Sequence, residues 1–157
     1  MAKINNTHFF IAGSSFTENT AYLINTEGNE FIYSKLPLMN EYRYGAACGS
    51  WIDEENDDLL LIVAGGASDA ADTSEIFSMN NDEWSKGPNL PYRVEGGGYI
   101  SDDQNPLIVI GGMDFPLKMS SLMAYQKETN SFEILPAKLE IGRWRLAATG
   151  IYDNEDC

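Results

Sequence analysis

The residues that could do chemistry in this 157-residue chain are few and far apart. There is one histidine, His8, and there are two cysteines, Cys48 and Cys157. A Ser-His-Asp arrangement would have to use His8 as its base, and no second histidine could serve another nucleophile. Cys48 falls inside an apolar strand-like run and Cys157 is the final residue, and neither has a CxxC partner. Neither a disulfide framework nor a zinc site is indicated. Carboxylates, by contrast, come in runs: DEENDD from Asp53 to Asp58, Asp102 with Asp103, and DNED from Asp153 to Asp156. Calcium loops need ordered oxygen spacing around a turn glycine, which none of these runs has. Gly96-Gly97-Gly98 stands before a strand and not before a helix, so it makes no phosphate cradle. The expectation is therefore a chain with no catalytic residue, no metal and no cofactor, whose acidic runs form a solvated rim that attracts basic partners.

Composition narrows the partners. Lys plus Arg number 10 against 24 Asp plus Glu, a formal net charge of -14. Such a field repels phosphate backbones and anionic lipid headgroups, so neither nucleic acid nor a membrane surface is an expected partner. The opening MAKINNTHFFIAG lacks a basic segment followed by a long apolar run, and no stretch approaches a membrane span. A cytoplasmic location is expected.

The elements that must position these residues are set by a repeat. FFIAGSS, LLIVAGGAS and PLIVIGGMD end three apolar runs at Gly13-Ser14, Gly65-Gly66 and Gly111-Gly112. An aromatic pair follows each: Tyr22 and Phe31, Phe77 and Trp84, Tyr125 and Phe132. Then come Leu36-Pro37, Leu90-Pro91 and Leu135-Pro136, and an arginine at Arg43, Arg93 and Arg143. A spacing of this order marks a repeat architecture. Short apolar or alternating runs between turn residues predict four strands per unit, in the middle copy near 44–51, 59–64, 75–79 and 83–86. TEGN, NNDE and ETNS supply the Gly, Asn and Asp of tight hairpins. The segment from Leu117 to Glu128 is rich in helix formers, but its register with Phe77 and Trp84 places a loop and a strand there.

A glycine pair after an apolar strand, then Tyr or Phe, then Trp a few residues later, resembles the kelch motif. The match is closest in the middle copy; Phe132 replaces Trp in the third, and Gly13-Ser14 breaks the pair in the first. The resemblance implies an all-β chain, a partial kelch-type β-propeller of four-stranded antiparallel blades. The expected division is 1–42, a blade lacking its first strand; 43–92 and 93–142, full blades; and 143–157, the first strand of a further blade. Kelch rings generally close with six or seven blades, so about three leave two sheet faces of about 350 Å² each uncovered. The remaining blades are expected from a longer chain or a second copy of this one.

Antiparallel blades send the loops after second and fourth strands to one face. That places Arg43, Arg93, Arg143, Tyr42, Tyr92, Phe16 and Phe115 together, residue types that dominate protein interfaces. The competing assignment keeps Tyr42 and Tyr92 under their own loops and pairs the arginines with acids inside the disc. The resemblance implies a non-catalytic module for a protein or peptide ligand and, by family analogy, substrate recognition in a ubiquitin ligase adaptor, although no BTB or F-box segment is present. Kelch-type enzymes resembling galactose oxidase or sialate epimerase, and actin-associated kelch proteins, are the alternatives; the oxidase needs a copper site of histidines and tyrosines that one histidine cannot build.

Overall fold

The computed structural model describes residues 1–13, 19–28, 30–67, 69–102 and 104–149, and among them no helix occurs. The first sheet holds β1 (Ala2–Lys3), β2 (His8–Ala12), β3 (Ala21–Asn25) and β4 (Ile32–Lys35). The second holds β5 (Ala47–Asp53), β6 (Asp58–Ala64), β7 (Ser74–Ser78) and β8 (Glu83–Lys86). In the third, β9 (Gly98–Ile100) and β10 (Ile108–Ile110) are followed by a two-stranded hairpin, β11 (Met113–Asp114) and β12 (Leu117–Lys118), before β13 (Ser121–Gln126) and β14 (Ser131–Lys138) complete the sheet. Every pairing is antiparallel. The chain is all-β, a propeller-like succession of four-stranded sheets. The segment from Leu117 to Glu128, rich in helix formers, forms β12 and β13, in keeping with the expected loop and strand.

Local chemistry explains the strand ends. Asp57, Asp82 and Asn130 take positive φ in the hairpins after β5, β7 and β13, where Asx residues tolerate the left-handed region. Glycine closes the second strand of each sheet for a different reason. Gly65 and Gly66 have φ of 67° and 110°, and Gly111 and Gly112 of 62° and 102°. A Cβ on Gly65 would sit 2.6 Å from the Val94 carbonyl oxygen, and one on Gly111 2.7 Å from that of Arg143. The close approach is used: Gly66 N–H donates to Val94 O at 2.7 Å and Gly112 N–H to Arg143 O at 2.8 Å.

The second sheet lies between the other two. Phe10, Ala21, Leu61, Val63 and Phe77 fill the seam with the first sheet, and Trp84 joins them, its indole N–H bonding the Pro37 carbonyl at 2.8 Å. Ile62, Leu107, Val109, Met123 and Tyr125 fill the seam with the third. β6, DLLLIVA, is buried on both faces and is accordingly apolar throughout after its first residue. Strand alternation turns Phe9, Ile11, Tyr22 and Tyr33 of the first sheet, and Ile100, Ile110 and Leu122 of the third, away from the second.

Three expectations need correction. The first sheet has its inner strand: Ala2 and Lys3 pair with Phe10 and Phe9, a strand too short to show in composition. In that sheet the pair matching Phe77 and Trp84 is Ile24 and Tyr33, which oppose each other as those two do; Tyr22 faces Lys35, and Phe31 is exposed. The third concerns the arginines. Gly96 N–H donates to Gly45 O and Arg145 N–H to Gly96 O, while Tyr44 bridges Ala67 and Glu95 bridges Met113. The matching positions are thus Arg43, Val94 and Arg143; Arg93 precedes its expected place by one residue. Beyond Arg143 the chain runs beside β9, where a Cβ on Gly98 would lie 2.7 Å from Leu146. The described part of the expected final strand, 143–149, forms no strand, and its end, from Gly150, lies outside the described residues.

Gly49, at the middle of β5, would place a Cβ 2.1 Å from the Pro106 carbonyl oxygen and 2.9 Å from Leu107 Cβ. Gly49→Ala is expected to lower unfolding stability by about 1–3 kcal/mol, as other overpacked cores do, whereas the neighbouring Ser50→Ala stays within about 0.5 kcal/mol. Equal midpoints for the two variants in urea denaturation would show that the second and third sheets are not packed this closely.

Candidate functional site

Among the described residues, the histidine and the cysteine are held in structural contacts. The His8 Nδ1 lies 3.0 Å from Thr7 Oγ1 and 3.2 Å from Asn5 Oδ1, within its own turn. Cys48 is buried in the first seam, and that burial pushes its thiol above the usual range, outweighing the hydrogen bonds from its neighbours. It therefore stays protonated and a poor nucleophile. Cys157 lies outside the described residues.

The face built by the β6–β7 and β10–β13 connections, together with the connections between sheets, carries the predicted interaction residues that are described. The structure treats the three arginines differently. Arg43 is fully buried, so it is removed from the set that could touch a partner. Its Nε donates to Glu75 Oε1 at 3.2 Å; Nη1 reaches the carbonyls of Gly65, Ala70 and Thr73 at 3.0, 3.1 and 2.9 Å; Nη2 reaches Glu41 Oε2 and Thr73 Oγ1. Glu75, also buried, further accepts from the backbone N–H groups of Asn40 and Glu41. A buried charge so fully bonded is a strut holding the β6–β7 connection. In the third sheet the positions of Arg43 and Glu75 are taken by Val94 and Met123, both buried. Arg93 points outward and is exposed.

Arg143 is exposed and lines a cleft of about 480 Å³ with Lys118, Ile141, Trp144 and Arg145. Lys118 ends the β11–β12 hairpin, whose tip and second strand carry Phe115, 84% exposed, and Leu117, 65% exposed. Arg145 takes a φ of 52° where the preceding repeats have Gly45 and Gly96, with φ of 67° and 62°. An L-residue held there carries a backbone cost of about 1 kcal/mol. Its guanidinium carbon lies 4.2 Å from the Trp144 ring centroid, which fixes the head in the cleft. Among the described residues, none of Lys118, Arg143 and Arg145 forms a salt bridge. Ile141, 67% exposed, adds an apolar wall.

Tyr42 is 52% exposed on this face. Tyr92 packs against the second seam, and that burial raises its phenol above the ordinary value; it anchors its loop. Phe16 lies outside the described residues. The structure thus gathers Arg143 with Lys118 and Arg145, two cations that the repeat pattern did not single out. The signal for Arg145 was present in the sequence as an arginine in the glycine position of the register, visible only once that register is known.

No family model matches the chain, and no curated protein matches it. Solved structures do match: one, described as the structure of YjhT, shares 14% identity at a TM-score of 0.62, over 83% of this chain and 48% of its own. The chain spans about half the length of that protein. At such identity the likeness is one of fold.

Arg43→Met is expected to cost about 3–5 kcal/mol, because Glu75 is left buried with one charge partner removed. Adding Glu75→Leu should return part of that loss, as in the Val94 and Met123 pairing of the next sheet. Additive losses in the double-mutant cycle, read by urea denaturation, would mean that the two side chains do not act as a pair.

Proposed function

We propose that this chain is part of a kelch-type β-propeller that binds a protein or peptide ligand on the face carrying the Lys118, Arg143 and Arg145 cleft, with no catalytic role. The observation that carries the reading is Arg145. A left-handed position that glycine fills in the other repeats holds an arginine stacked on Trp144, beside two more cations and with no carboxylate in the lining among the described residues, in a chain of net charge -14. Strain of this kind is a pointer to function when the fold itself would prefer glycine. The ligand that suits the cleft is an extended segment bearing Asp or Glu next to large apolar side chains. The carboxylates pair with the guanidinium groups in forked hydrogen bonds, and the apolar side chains take Ile141, Leu117 and Phe115. Tyr42 and Arg93 extend the same face. Substrate recognition for a ubiquitin ligase adaptor is the more specific form of the proposal, and it rests on the kelch resemblance.

Two measurements bear on this reading. A short fluorescein-labelled peptide alternating Glu and Leu should bind the protein in an anisotropy titration, and Arg145→Gly should weaken it by roughly tenfold, the loss of one forked charge pair. The same variant should be as stable as the parent or more stable by up to about 1 kcal/mol, since it relieves the positive φ. Unchanged affinity in a folded Arg145→Gly protein would overturn the proposal. Separately, the outward faces of the first and third sheets are proposed to be covered by further blades, from a longer chain or from a second copy. Light scattering coupled to size exclusion on this 17.4 kDa chain should then report a dimer or a larger species, and a stable monomer would count against such coverage.

A further inference from the structure

At the opposite ends of the strands, the second and third sheets splay apart around a groove of about 560 Å³. Its floor is apolar. Trp51 from β5 packs on Tyr125 from β13 with ring centroids 5.2 Å apart, and Ile76 from β7 lies alongside. The Tyr125 hydroxyl faces Asn130 Oδ1 at 3.1 Å, which ties the β13–β14 turn to the floor. Burial and, after it, the charge of Glu128 raise its phenol above the ordinary value, so the hydroxyl stays neutral.

The rim is acidic from both sides. Glu54 and Glu55 come from the β5–β6 turn and Glu128 from the β13–β14 turn, with Lys127 as the one basic side chain in the lining. The Asp53 carboxylate accepts from Glu55 N–H at 3.2 Å and from Asn56 Nδ2 at 2.7 Å, so it holds the turn that presents Glu54 and Glu55. The rim carboxylates do not converge on a point: among the described residues, no three His, Cys, Asp or Glu side chains come together as metal ligands would. An aromatic floor under separated carboxylates selects a ligand that is long, apolar along its length and cationic at its end. Arg and Lys side chains have that form, with a methylene stem that lies on apolar surface and a charged head that seeks acid.

We propose that this groove binds a basic segment of a partner protein, seating Arg or Lys stems on Trp51 and Ile76 and their heads against Glu54, Glu55 and Glu128. The site is independent of the Arg145 cleft, which lies at the other ends of the strands and takes the opposite charge. Attraction by the whole chain's charge of -14 speeds encounter with such a segment; the groove decides where it settles.

The test separates the groove from the general field. A short fluorescein-labelled peptide of Lys, Arg, Ala and Leu is titrated by anisotropy against three proteins: the parent, a groove variant (Glu54→Gln, Glu55→Gln, Glu128→Gln), and an equally neutralised variant with Glu27→Gln, Glu83→Gln and Glu133→Gln at exposed positions elsewhere. The groove variant should bind roughly tenfold more weakly than the parent, the comparator within about twofold, and the difference should shrink as salt screens the rim. Both variants keep the parent's Glu–Leu peptide affinity. Failure of the parent to bind, or equal losses in the two variants, would sink the proposal, because either result leaves the groove with no role beyond net charge.

Discussion

The fold hangs on a close contact between the end of each second strand and the chain entering the next repeat. Gly66 N–H reaches Val94 O and Gly112 N–H reaches Arg143 O, and the glycine before each donor leaves no room for a side chain against the same oxygen. In the first repeat a Cβ on Gly13 would meet the Arg43 carbonyl at 2.3 Å. One backbone approach, repeated, therefore sets the spacing of neighbouring sheets. Once the sheets are that near, the space between them must be filled with bulk away from the axis, and Phe77, Trp84, Tyr125 and Phe132 supply it. The glycines and the aromatics are two answers to a single wedge-shaped gap, narrow at one place and wide at another.

The residue that offers this carbonyl has a side chain as well, and its fate differs between repeats. Arg43 turns inward to Glu75 and the β6–β7 carbonyls, while Val94 packs with Met123 at the same positions. That an ion pair and an apolar pair occupy equivalent places in one chain fits the near equality expected of well-bonded buried pairs and their hydrophobic replacements. The constraint is on volume and on satisfied hydrogen bonds, with charge optional. Arg143 follows the backbone rule through its carbonyl but presents an exposed side chain, and this leaves it, with Arg145, on the surface of the connection that leaves the third sheet.

This division between backbone and side chain explains what could be read in the sequence. Glycine pairs, Asx turns and the Phe77 with Trp84 and Tyr125 with Phe132 pairs are dictated by backbone geometry and by gap volume, so their residue types announce them. The arginines do not belong to that class. Their spacing suggested one position, yet the position is defined by a carbonyl, which any residue has, and Val94 fills it in the middle copy. Tyr22 and Phe31 misled for a related reason: on exposed or half-exposed strands of the first sheet aromatic residues are not confined to the seam, and Ile24 with Tyr33 takes the place instead. The first strand escaped notice because two residues, Ala2 and Lys3, carry no periodicity. Of the residues proposed for interaction, Phe115, Tyr42, Arg93 and Arg143 stand out in the sequence as exposed types on connections, whereas Lys118 and Arg145 depend on how the β11–β12 hairpin and the last connection meet.

Antiparallel order has a further consequence for charge. Connections after first and third strands must emerge at one end of every sheet, and those after second and fourth strands at the other, whatever their composition. A chain that confines DEENDD to a first-strand turn and GRWR to a fourth-strand connection therefore separates them by the length of a strand, about 18 Å for a typical one. That exceeds the screening length of about 8 Å at physiological ionic strength. The acidic turn thus lies too far from the arginines to pair with them. Topology and placement alone thus hold the two proposed sites apart, so that a ligand at one would not interfere with a ligand at the other.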